Sequence, residues 1–97
     1  GIINEGILDY EKAIEIQELA NAELDDDKYN AYLEQINASL KQALEPFEKA
    51  FGLSDNSPEL RKPIAEYLKN IYFRFRTESD EYMSLFEKYD KIYKAAE

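Results

Sequence analysis

Apolar residues recur every three or four positions along most of the chain, which is the spacing of one face of an α-helix. The alternation of Val, Ile and Thr with polar residues that is typical of strands is absent. The clearest stripe includes Ala43, Phe47 and Ala50, and a polar turn then leads to the next stripe. The pattern predicts four helices, at about residues 5–24, 27–51, 58–76 and 80–95.

Capping residues stand before three of these helices. Asp25 or Asp26 precedes the second helix, where a carboxylate can accept a hydrogen bond from the first N–H groups and face the positive end of the helix dipole. Ser57 precedes the third helix and Ser79 precedes the fourth. These positions support the predicted starts of the helices.

Proline and glycine predict irregularities in the second and third helices. Pro46 cannot donate to the Gln42 carbonyl, so we expect the second helix to bend there. Gly52 is the predicted C-cap of that helix. Because Pro63 follows soon after the start of the third helix, residues 58–62 are expected to form a separate turn.

The predicted fold class is all-α, a single domain of two antiparallel helical hairpins. A chain of 97 residues buries only roughly 60–65% of its unfolded surface, so its core is thin. The 8 Tyr and 5 Phe residues are expected to supply much of that core. Most of the tyrosines fall on apolar stripes, which favours packing over the stacking of a sugar.

An internal repeat links the second and fourth helices. Residues 47–49 and 86–88 both read Phe-Glu-Lys, and apolar residues surround both copies at the same spacing. Self-similarity at a period of about 30–50 residues is typical of stacked helical hairpins, in which each unit buries its apolar face against the next.

The chain resembles the tetratricopeptide repeat family at these positions. Ala43, Phe47 and Ala50 match the small–aromatic–small pattern of the second helix of that repeat, and residues 51–57 match its turn. Residues 68–75 are similar to the core of the following first helix. The resemblance implies a fragment of a right-handed superhelix that acts as an adaptor and carries no chemistry.

A narrower resemblance, to tetratricopeptide-like proteins common in Bacteroidetes, covers nearly the whole chain. It includes the start of the first helix, where Asn4, Gly6, Tyr10 and Ala13 match a shared spacing. This likeness implies the C-terminal part of a longer protein, and export to the cell envelope. The family pattern keeps small residues where Tyr82 and Tyr89 stand here, so the last helix departs from it.

Composition and charge exclude several classes of function. Cysteine and histidine are absent, so the chain has no thiolate or imidazole for metal binding or catalysis. The net charge of −9 argues against binding nucleic acid. Residues 1–60 carry 4 basic and 14 acidic side chains, whereas residues 61–76 carry 5 basic and 1 acidic. A basic strip therefore lies within an acidic chain, and it suits an acidic peptide or pairs with acidic neighbours in the fold.

The basic strip contains the predicted binding residues. In tetratricopeptide repeats the first helix of each pair lines a concave groove. The resemblance therefore implies that the third helix presents Glu66, Asn70, Phe73 and Arg74 there. Asn70 and Arg74 lie one turn apart and can hold a carboxylate or a peptide backbone, with Phe73 as an apolar wall.

The alternative is that these side chains serve the fold. Arg74 would then form an ion pair with a carboxylate of the first helix, and Phe73 would pack on an upstream or partner helix. The candidates for that ion pair are Glu11, Glu15 and Glu18.

The sequence therefore predicts a non-catalytic scaffold that binds a protein or peptide, whose ligand has acidic residues or a C-terminal carboxylate. The alternative is a capping or oligomerisation unit with no ligand of its own, and a homo-oligomer stays open. We expect no enzyme activity, no cofactor and no membrane span. We also expect no metal site at residues 25–27, because the spacing and glycine of a calcium loop are missing.

Overall fold

A computed structural model describes residues 1–95 as four helices without a strand. The helices are α1 (Ile2–Asn21), α2 (Asp26–Gly52), α3 (Pro58–Phe75) and α4 (Asp80–Ala95). The prediction of an all-α fold built from helical hairpins is confirmed. α1 begins and ends earlier than the sequence predicted. It ends earlier because the chain turns at residues 22–25 and leaves Leu24 in solvent.

Side-chain caps fix the starts of two helices. The Asp25 carboxylate accepts a hydrogen bond from the Lys28 N–H at 3.0 Å, and the Ser79 hydroxyl accepts one from the Tyr82 N–H at 3.1 Å. Each bond satisfies an N–H group that has no partner inside its own helix. Ser57 occupies the N-cap position of α3 but makes no side-chain capping bond.

Two predictions about glycine and proline are wrong. Gly52 is the last residue of α2, and Leu53 caps the helix in a right-handed conformation, so this end needs no left-handed residue. The third helix has no separate first turn, because α3 continues through Pro63. Pro63 removes only one backbone bond, and it lies on the exposed side of α3.

The first hairpin closes around one aromatic ring. Gly6, near the start of α1, lies against Phe47, near the end of α2, so the two helices run antiparallel. A Cβ atom on Gly6 would stand 2.9 Å from the Phe47 ring, closer than carbon atoms pack. The Phe47 ring is fully buried, and its centroid lies 4.7 Å from that of Tyr67 in α3, with the rings nearly parallel. Phe47 therefore connects both helices of the first hairpin to the second.

The second hairpin is also antiparallel. Tyr72 and Phe75, in the last turns of α3, contact Tyr82 in the first turn of α4. Fully buried apolar residues from α2 and α3 form the centre of the molecule, and Tyr89 of α4 joins them. The residues of this centre with the largest buried side chains are Phe47, Ile36, Ile64, Leu68, Ile71, Phe75 and Tyr89.

The hairpins stack through α2 and α3, with smaller contacts at their edges. Tyr10 of α1 meets Tyr67 of α3 edge to face, with 4.9 Å between ring centroids. Lys41 of α2 forms an ion pair of 2.8 Å with Glu78, which lies between α3 and α4. Each helix therefore contacts a helix of the other hairpin or the turn beside it.

Candidate functional site

A small groove lies where α1, α2 and α3 meet. Its volume is about 160 Å³, and Arg74 is its only charged lining residue. We call it the Arg74 groove, and its lining residues are Tyr10, Ala13, Ile14, Gln17, Ile36, Leu40 and Arg74.

The floor of the Arg74 groove is apolar because α1 carries a wide apolar stripe. Ala13 and Ile36 are buried in the core beneath it, whereas the Ile14 side chain is 49% exposed. Ile14 lies one turn after Tyr10, on the side of α1 that faces α3. The groove thus offers apolar surface to solvent beside a cation.

Arg74 is held at the rim by an amide. Its Nε donates a hydrogen bond to Asn37 Oδ1 at 2.7 Å, across from α3 to α2. The two terminal nitrogens carry the other N–H donors of the guanidinium, in the planar fork that fits a carboxylate. On α1, Gln17 Nε2 donates to Asn21 Oδ1 at 2.9 Å, so a second amide pair borders the groove. The rim therefore combines one cation with fixed polar groups.

Of the four predicted binding residues, only Arg74 lines the groove. The Phe73 ring packs against Phe86 of α4, with 5.2 Å between centroids, and against the Arg76 guanidinium at 3.8 Å. Consecutive helical residues point about 100° apart, so neighbours in sequence face different helices. Glu66 and Asn70 lie on the exposed side of α3, and neither lines the groove.

The structural roles that the sequence left open for Arg74 and Phe73 are filled by other partners than those predicted. Arg74 bonds to the Asn37 amide of α2 and not to a carboxylate of α1. Phe73 packs on α4 of the same chain. Both side chains thus have partners within the described residues and keep part of their surface exposed.

Sequence reasoning missed the residues that complete the groove. Tyr10, Ala13, Ile14 and Gln17 recur at the spacing of an apolar stripe on α1, and the width of that stripe is the available sign that part of it stays open. Asn37 gave no sign in the sequence, because a half-buried amide on an amphipathic helix has no distinctive spacing.

A second polar cluster lies inside the stack. The Glu48 carboxylate of α2 accepts hydrogen bonds from the Tyr72 hydroxyl of α3, at 2.6 Å, and from the Tyr89 hydroxyl of α4. The two tyrosine rings are nearly parallel, with centroids 5.9 Å apart. Burial raises the pKa of both tyrosines above the usual value, and the bonds to Glu48 raise it further.

The Glu48 cluster links the two hairpins through hydrogen bonds. Both tyrosines are buried, and their hydroxyls keep their protons because the raised pKa values disfavour the phenolate. One carboxylate satisfies a hydroxyl from each helix of the second hairpin, so it ties α2 to both of them. The recurrence of Phe-Glu-Lys at residues 47–49 pointed to this region but not to this role.

Two kinds of feature are absent from the described residues. Within residues 1–95 no group of three or more acidic side chains is placed to hold a metal ion. None of the four described helices is both long and apolar enough to cross a membrane. No protein-family model matches the chain, and comparisons with curated proteins and with solved structures give no match either.

Proposed function

We propose that the chain is a non-catalytic scaffold of the tetratricopeptide type that binds a peptide in the Arg74 groove. The ligand carries a carboxylate for Arg74 and an apolar side chain for the groove. The observation that supports this most is the position of Arg74, held by Asn37 at 2.7 Å beside an open apolar floor. The Bacteroidetes lineage and the cell-envelope location remain predictions from the resemblance.

The chemistry of Arg74 favours a carboxylate over other polar groups. A guanidinium binds a carboxylate through two parallel N–H···O bonds, and such bonds are roughly twice as strong as neutral ones. The Asn37 bond uses only Nε and orders the side chain before a ligand arrives. This ordering lowers the conformational entropy that binding would otherwise cost.

Size and charge define the ligand further. A volume of about 160 Å³ is below the roughly 300–1,000 Å³ of small-molecule pockets, so the groove takes one apolar side chain of a longer segment. The net charge of −9 repels dense acidic tracts. We therefore expect a segment with a single carboxylate next to an apolar residue, such as a free C-terminus that ends in Leu.

Binding of short synthetic peptides tests this function. A Leu-terminated peptide with a free carboxylate should bind more tightly than its C-terminal amide, as measured by calorimetric titration. Arg74→Glu should weaken binding at least about tenfold, because it replaces the carboxylate partner with a like charge. The matched control is Lys28→Glu, which makes the same charge change at an exposed position outside the groove. Equal affinity of the wild type and Arg74→Glu would contradict the proposal.

A second candidate function is structural. Apolar side chains are exposed at both ends of the stack, with Leu8 65% exposed at one end and Phe73 47% exposed at the other. A unit that only caps a stack needs a polar outer face. These side chains therefore favour a unit that extends a stack or associates with itself over an end cap.

A further inference from the structure

The first end of the stack is an acidic groove between α1 and α2, on the side away from α3. Its volume is about 440 Å³. We call this surface the α1–α2 end face, and its lining residues are Glu5, Leu8, Asp9, Gln42, Glu45, Pro46 and Lys49.

The α1–α2 end face has a surplus of negative charge and of acceptors. Three of its lining residues are acidic, and its one cation, Lys49, lies 3.6 Å from the Glu45 carboxylate. Pro46 has no N–H to donate to the Gln42 carbonyl, so the backbone adds an acceptor without its usual helical partner. Leu8 contributes exposed apolar surface to the same groove.

The opposite end of the stack carries two cations that lie over aromatic rings. The Lys69 ammonium lies 4.9 Å from the Tyr93 ring centroid, and the Arg76 guanidinium lies 3.8 Å from that of Phe73. Phe73 meets Phe86 across the line where α3 and α4 join. Met83 is an exposed apolar residue one turn before Phe86 on α4. We call this surface the α3–α4 end face and define it by Lys69, Phe73, Arg76, Met83, Phe86 and Tyr93.

The internal repeat indicates that the α3–α4 end face is a stacking surface. Phe86 is the first residue of the Phe-Glu-Lys segment at residues 86–88, as Phe47 is of the segment at residues 47–49. Phe47 is fully buried because Tyr67 of the next hairpin stacks on it. Within residues 1–95, Phe86 is only partly buried and meets Phe73 of its own hairpin. The side of the second hairpin that carries Phe86 is therefore open, whereas the matching side of the first hairpin, at Phe47, is covered.

We propose that the α3–α4 end face of one molecule docks on the α1–α2 end face of a second copy, head to tail. Lys69 and Arg76 then face the acidic groove, and Phe73 and Met83 pack near Leu8 of the other copy. Opposite charges on the two surfaces select this pairing, because two identical end faces would place like charges together.

The geometry of such a contact predicts the type of assembly. Each copy uses a different surface at each end, so the interface is heterologous and does not close after two subunits. We therefore expect weak association that continues beyond dimers as concentration rises. Neither end face includes a residue of the Arg74 groove, so this association and peptide binding succeed or fail independently.

Charge reversal on one face at a time tests the pairing by sedimentation velocity. The first variant is Lys69→Glu with Arg76→Glu, and the second is Glu5→Lys with Glu45→Lys. Each variant alone should remain monomeric at concentrations where the wild type associates, with its dissociation constant raised at least about tenfold. An equimolar mixture of the two variants should associate again, because each then offers a face of opposite charge to the other.

Matched controls change the same amount of charge elsewhere. Lys28→Glu with Lys91→Glu, and Glu18→Lys with Glu34→Lys, alter exposed residues outside both end faces and should associate like the wild type. Leu8→Glu removes apolar surface at an exposed position, so it should abolish association without loss of helix content by circular dichroism.

Three results would overturn the proposal. The wild type could stay monomeric at high concentration and about 0.01 M ionic strength, where charges act over about 30 Å. Association could survive in both charge-reversal variants, which would place the contact on other surfaces. The mixture could stay monomeric while the wild type associates and both variants are folded, which would exclude the pairing of these two faces.

Discussion

Glu48 of α2 connects three helices through hydrogen bonds to α3 and α4. Its carboxylate accepts hydrogen bonds from the hydroxyls of Tyr72 and Tyr89, and both rings are buried around it. A buried hydroxyl that loses its acceptor costs about 1–3 kcal/mol. One side chain of α2 therefore controls the polar satisfaction of α3 and α4.

Glu48→Ala should lower the free energy of unfolding by about 2–4 kcal/mol, because it leaves two buried hydroxyls without their acceptor. Glu48→Gln keeps one acceptor oxygen and should lose less. Urea denaturation followed by circular dichroism measures both. Adding Tyr72→Phe and Tyr89→Phe to Glu48→Ala should recover part of the loss, since the unsatisfied hydroxyls are then gone. Full stability of Glu48→Ala alone would show that the cluster does not hold the hairpins.

Gly6 is required by a close approach of two helices. Gly6→Ala should lower the free energy of unfolding by up to about 2 kcal/mol. Alanine improves helix propensity by about 1 kcal/mol, but its Cβ overlaps the Phe47 ring, and overpacking costs about 1–3 kcal/mol. The ring has little room to move, since Tyr67 stacks on it. Gly52→Ala, where the added Cβ meets nothing within 4 Å, is the control and should be stabilising or neutral.

Helix caps contribute unequally at the scale of the elements. Asp25→Ala should lower the free energy of unfolding by about 1 kcal/mol, because the capping bond to the Lys28 N–H is lost. Ser57→Ala is the matched control at another N-cap, and it should change stability by less than about 0.5 kcal/mol since Ser57 makes no capping bond. Equal effects in thermal or urea unfolding would contradict the assignment of the caps.

Periodicity predicted the helices well because each apolar stripe is local in sequence. Ala43 and Phe47 are buried as expected, and α4 begins at the predicted residue. The neighbour that each side of a helix meets depends on the packing of distant elements, and this information is not local. For that reason the sequence predicts one site for the adjacent residues Phe73 and Arg74, whereas Phe73 packs on α4 and Arg74 bonds to α2.

The partners of polar residues were the least predictable part. Asn37 and Glu48 lie at the border of the α2 stripe, where the sequence does not distinguish an exposed side chain from one that bonds across the stack. Pro63 was expected to interrupt α3, but the loss of one hydrogen bond is smaller than the gain from packing Ile64, Leu68 and the residues that follow.

The whole molecule should lose stability at alkaline pH through Tyr72 and Tyr89. Their pKa values are raised in the folded state, whereas the unfolded value is about 10. Above about pH 10 the unfolded chain binds fewer protons than the folded one, so the free energy of unfolding falls as pH rises. Below about pH 10 this contribution is fully present.

Urea denaturation at about pH 8 and about pH 11 measures this dependence. The fall between the two should be smaller in the double variant Tyr72→Phe with Tyr89→Phe, which lacks both titrating groups. An equal fall in the wild type and the double variant would show that other groups cause the alkaline loss.

The stack of two hairpins brings three helices together at Arg74, where we propose the peptide site. The most direct measurement maps amide and side-chain NMR shifts of the protein during titration with a Leu-terminated peptide that has a free carboxylate. We predict the largest shifts at Ile14, Gln17, Asn37 and Arg74, which border the groove on three helices. No shifts at saturating peptide, or shifts centred on Phe73, would contradict a peptide site at Arg74.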